Sequence, residues 1–119
     1  MESRTNTANA TPVAVRNGKC FIKSIKVEQR AAAAAVLFLQ IFNNFSPTVG
    51  TTTPRMVIPI PAGDANLDVS LAKIEFQGKY GGLYLDTAFA YAVTTTYNGS
   101  TNPTAGQEPA VIAHYENLG

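Results

Sequence analysis

Apolar runs in this chain are short, and each is cut off by polar or turn-forming residues before it reaches the length of a long helix. The breaks fall at Asn17-Gly18, Asn43-Asn44, residues 46–54, 61–66 and 78–82, Asp86-Thr87 and the polar stretch 94–107. Between them lie segments at 11–15, 20–27, 36–42, 55–60, 67–77, 83–85, 89–93 and 109–115, several of which alternate apolar with polar residues. Short runs spaced by turn signals predict an all-β fold, an antiparallel β-sandwich or jelly roll of six to eight short strands. At 119 residues the chain fits one domain, expected over 12–119. Residues 1–11 carry no apolar periodicity and are expected to form a flexible N-terminal arm.

Side-chain parity predicts the core. Ile25, Val27, Leu39, Ile41, Ile58, Ile60, Phe89, Tyr91 and Val111 fall in phase on their strands. In 20–27 the alternation is imperfect: Phe21 and Lys23 share the parity of Ile25 and Val27, while Cys20 and Ile22 share that of Ser24 and Lys26. Residues 36–42 are apolar on both sides except at Gln40, which suits a strand covered on both faces. Pro59 removes a ladder donor, so 55–60 is expected at a sheet edge. The phase of 67–77 changes between Leu71 and Ile74, predicting a bulge near Ala72-Lys73. Residues 28–35 have helix propensity but no good N-cap before Ala31, and are read as a loop or a single helical turn.

Composition narrows the partners. Only 14% of residues are charged, against a usual share of about 25%. A surface of Thr, Asn, Ala and Gly suits burial against other chains. The net charge is +1, too small for an electrostatic nucleic-acid binder. Lys19, Lys23, Lys26 and Arg30, with Arg16 upstream, are interrupted by Glu28 and read as a solvated strand face. No membrane partner is expected, since the longest apolar run, 31–39, falls far short of roughly 18 residues. Cys20 is the single cysteine, and the N-terminus is polar, so synthesis in a reducing cytoplasm is expected. Glycosylation triplets begin at Asn9, Asn44 and Asn98 and are read as chance matches.

No residues assemble into a recognisable catalytic pattern. His114, the one histidine, has parity opposite to Val111, Ala113 and Tyr115, and nothing in the sequence brings Cys20 to it. Asp64, Asn66 and Asp68 alternate as calcium ligands do, but the downstream bidentate glutamate is missing. Gly78-Lys79 and Gly81-Gly82 lack a phosphate-loop pattern. The expectation is a protein that is not an enzyme, with no catalytic residues, no metal and no cofactor.

An order of elements carries a resemblance. Ser24-Ile25-Lys26-Val27 is followed by the alanine-rich stretch and Phe38-Leu39-Gln40-Ile41-Phe42-Asn43. Then come Pro47-Thr48-Val49-Gly50-Thr51 and Val57-Ile58-Pro59-Ile60-Pro61-Ala62. Gly81-Gly82-Leu83, residues 87–95 and the closing strand to Tyr115 complete it. Over roughly 18–116 this resembles a family of small tailed-bacteriophage virion proteins of β-sandwich type. The motifs are strand and turn patterns, and no functional residues transfer.

The resemblance implies a virion structural protein, a capsid decoration or cement protein that stabilises the phage head. It would be made in the host cytoplasm and sit on the capsid surface, binding the major capsid protein as a homo-oligomer. A trimer is expected by analogy with proteins at three-fold positions. The arm, residues 1–11, is expected to reach a partner. Candidate interface residues are the small-residue strand face Ala88, Ala90 and Ala92, and the loop aromatics Phe45, Tyr80 and Tyr97. The alternatives are a carbohydrate- or ligand-binding jelly-roll module, and a tail or adaptor component. An exposed aromatic platform beside Asp and Asn would favour the carbohydrate- or ligand-binding reading.

Overall fold

Alternating side chains let each strand bury one face, and two sheets meet on those faces. The computed structural model describes residues 1–28, 35–62, 66–70 and 82–118. They form β1 (Glu2–Thr5), β2 (Val13–Arg16), β3 (Cys20–Glu28), β4 (Leu37–Phe42), β5 (Met56–Ile60), β6 (Asn66–Ser70), β7 (Leu83–Leu85), β8 (Phe89–Thr94) and β9 (Ala110–Asn117). All strand pairs are antiparallel. Sheet A runs β1-β9-β3-β6, with β7 also paired to β3, and sheet B runs β2-β8-β4-β5. The pairs β1·β9, β2·β8, β3 with β6 and β7, and β4·β5 are nested, and they alternate between the sheets. A long hairpin rolled up in this way is a jelly roll, which settles the choice left open between sandwich types. The helical turn considered for 28–35 and the bulge near Ala72-Lys73 fall outside the described residues, apart from Glu28 at the end of β3 and Ala35.

Residues 1–11 are not a free arm. Glu2–Thr5 add β1 to the edge of sheet A, in register from Glu2↔His114 to Thr5↔Val111. The Met1 amino group donates to the Tyr115 carbonyl at 2.9 Å. Beyond β1, the Ala8 N–H donates to the Pro109 carbonyl and Asn9 accepts from Val93 N–H, while Ala8 is buried. The inward residues of β1 are Ser3 and Thr5, so apolar patterning could not reveal it. Backbone pairing and the bond between Thr5 Oγ1 and the Tyr91 hydroxyl hold the strand instead.

The core is the one parity predicts, with one shift. Ile25, Val27, Leu39, Ile41, Ile60, Phe89, Tyr91 and Val111 are buried in one cluster, and Ile58 packs partly buried against it. In β3, however, the register to β9 slips between Ile22 and Ser24, leaving Lys23 as a bulge. The slip turns Cys20 and Ile22 inward with Ile25 and Val27. Phe21, expected on the side of Ile25, goes to the other face. There it is buried with its ring 5.1 Å from that of Tyr84 and Lys23 Nζ 5.8 Å from its centroid. β5 forms one edge of sheet B, as Pro59 predicts.

Candidate functional site

The two outer faces differ in chemistry. On sheet A, opposite charges lie side by side along and across the strands: Arg4 with Glu28 at 3.5 Å, Lys26 with Glu28 at 3.6 Å and Lys23 with Glu116 at 3.6 Å. Lys23 and Lys26 of the basic cluster are thus part of a solvated, charge-balanced lattice, where each exposed pair adds about 0–1 kcal/mol. His114 Nε2 lies 3.2 Å from Glu2 Oε2, and its Nδ1 lies 3.4 Å from Ser24 Oγ. This Ser–His–Glu line crosses β3, β9 and β1 on an open face, where the histidine and glutamate side chains are about half exposed. Cys20 lies on the opposite, inner face in the core, so no Cys–His pair exists. Among the described residues no group of three His, Cys, Asp or Glu is close enough to hold a metal ion; Asp64 lies outside them.

Sheet B is covered by the chain's own loops. Phe42, Ala90 and Ala92 are buried on its outer side, with Val49 of the β4–β5 loop packed on them. The close neighbour that these alanines admit is therefore a loop of the same chain. Ala88 is buried too, and its N–H donates to Asn43 Oδ1 at 3.2 Å. Of the loop aromatics, Phe45 is 41% exposed and Tyr97 60%, while Tyr80 lies outside the described residues.

Gln40 explains how the loops are held. It is the polar residue in the middle of β4, and its side chain is fully buried. Its Nε2 donates to Thr94 Oγ1 at 2.8 Å and to the Gly99 carbonyl at 3.0 Å. Thr94 Oγ1 in turn donates to the Thr96 carbonyl at 2.7 Å. The turn 96–99 is thereby pegged at both ends. A Cβ at Gly99 would stand 1.9 Å from Thr96 Oγ1, so a larger residue there requires the Thr96 side chain to turn away. Across from it, Thr48 N–H donates to Thr52 Oγ1 at 3.0 Å, and the Thr48 carbonyl accepts from the N–H groups of Thr51 and Thr52. Gly50, at φ +91°, lies close enough to Ser100 that a Cβ would stand 3.0 Å from its Cβ.

Between these two pinned loops is a cleft of about 260 Å³ lined by residues 50–57 together with Tyr97 and Asn98. Tyr97 was singled out by sequence as an interface residue; Thr51, Thr53, Arg55 and Asn98 were not read as site residues. Both loops are legible as loops, but nothing local reveals that they meet. At the other end of sheet B, Asn43 Nδ2 donates to Asp86 Oδ1 at 2.6 Å while its Oδ1 accepts from the N–H of Thr87. These contacts tie the end of β4 to the β7–β8 turn. Bonds from the side chains of Asn43 and then Thr87 hold the Asp86 carboxyl below the usual aspartate range.

No family model, curated protein or solved structure matches this chain. No helix among the described residues is long and apolar enough to cross a membrane.

Proposed function

We propose that this chain is a structural subunit of a tailed-phage particle, a decoration or cement protein that stabilises the head by binding the major capsid protein as a homo-oligomer, most simply a trimer. The observation that carries the reading is the nested strand order of a jelly roll, an architecture used by viral capsid domains. The resemblance in the order of sequence elements points the same way, and both are arguments by analogy. The thin surface charge and the exposed Val36 and Phe45 supply contact area of the kind an assembly buries. With β1 part of the sheet, partner contact belongs to the loop ends and not to a free arm. Such a subunit acts through shape and buried area, without chemistry of its own. The test is to purify particles of the virus that encodes the chain and quantify its peptides against those of the major capsid protein. A fixed stoichiometric ratio is expected, and absence from washed particles refutes the reading.

A further inference from the structure

The cleft on sheet B has a chemistry of its own. Tyr97 is 60% exposed, and its ring meets that of Phe38 at 76° with centroids 6.0 Å apart. Around it stand Asn98, Thr51 and Thr53, whose side chains make no hydrogen bond among the described residues, and the Arg55 guanidinium. We propose that this cleft binds the terminal sugar ring of a neutral glycan, stacked on Tyr97.

A pyranose offers an apolar C–H face on one side and a rim of hydroxyls that both donate and accept. The Tyr97 ring suits the first. The amide of Asn98 and the two threonine hydroxyls suit the second, since together they supply donors and acceptors. The volume, about 260 Å³, falls just under the roughly 300–1,000 Å³ of sites for drug-sized ligands, so one ring fits and the rest of the chain stays outside. A nucleobase would also stack, but binding single-stranded nucleic acid needs a cationic groove, and among the described residues Arg55 is the one cation lining the cleft. Gln40 and the Thr48–Thr52 contacts already fix both walls, so little loop ordering opposes binding. This inference goes beyond the structural role and does not depend on it.

The full chain, isotope-labelled, is titrated with the methyl glycosides of glucose, galactose, mannose and N-acetylglucosamine while its NMR spectrum is followed. At least one should give saturable shifts at the Tyr97 ring and the amides of Thr51, Thr53 and Asn98, with millimolar affinity. Tyr97→Ala should weaken it about tenfold or more, with the spectrum of the core strands unchanged, and Tyr97→Phe should retain it. Three outcomes overturn the proposal: no saturable shift with any glycoside, equal binding by Tyr97→Ala, or tighter binding of adenosine monophosphate at the same residues. Movement of Tyr97 signals with protein concentration alone, insensitive to sugar, assigns the residue to a subunit contact and also overturns it. Particle content is a separate readout, so the structural role and the sugar site fail independently.

Discussion

Gly82 stands where β7 meets the bulge of β3. Its φ is +140°, and a Cβ there would lie 2.6 Å from the Ile22 carbonyl oxygen, which is backbone and cannot swing away. Gly82→Ala is therefore expected to destabilise the domain by about 1–3 kcal/mol, read as a lower midpoint in urea; an unchanged midpoint would deny the close approach. Nearby, burial pushes the Cys20 thiol up to about 11, with the charge of Arg16 opposing only part of the shift. The folded protein keeps this thiol neutral, so iodoacetamide at about pH 8 should alkylate it only after unfolding. The sign follows: stability linked to Cys20 is intact below the ordinary thiol range near about 8.5, and it is lost as pH rises from there through about 11. Rapid native alkylation would place Cys20 outside the core. At this scale parity reads well, and it names the core residues of β4, β5, β8 and β9. It misplaces Phe21 because one extra residue, Lys23, inverts the phase midway along β3, and the imperfect alternation there was the only local trace.

β1 is the element that apolar patterning could not find. Its inward residues are polar, and what fixes it lies far along the chain: the edge of β9 and the hydroxyl of Tyr91. The Tyr91 hydroxyl bonds Thr5 from within the core, and burial keeps it protonated by raising its pKa. Tyr91→Phe removes the partner of Thr5 while keeping the ring, and a loss of about 0.5–1.5 kcal/mol is expected. Amide exchange should quicken in β1 and along its rungs on β9, and stay slow in β4 and β8. Uniform quickening across both sheets would mean that Tyr91 acts as core packing and not as an anchor for β1. β4 shows the opposite case. Its near-continuous apolar run predicted cover on both faces, and the chain provides it from the core on one side and from Val49 on the other.

For the molecule as a whole, the sequence marks the strands after β1 but not their order. Turn signals separate elements, yet β1 pairs with β9 and β2 with β8 across most of the chain, and no local signal encodes such distant pairing. The cleft was invisible for the same reason, since it exists only because two loops are folded onto one face of sheet B. What remained legible was the class of fold and the weakly charged surface from which assembly is proposed. That proposal is tested most directly by sedimentation of the purified chain, alone and mixed with shells of its proposed partner, the major capsid protein. The account predicts an oligomer, most simply three copies of the 12.6 kDa chain, that leaves the supernatant with the shells in a saturable ratio. A monomer at high concentration that stays in solution when the shells pellet would contradict it.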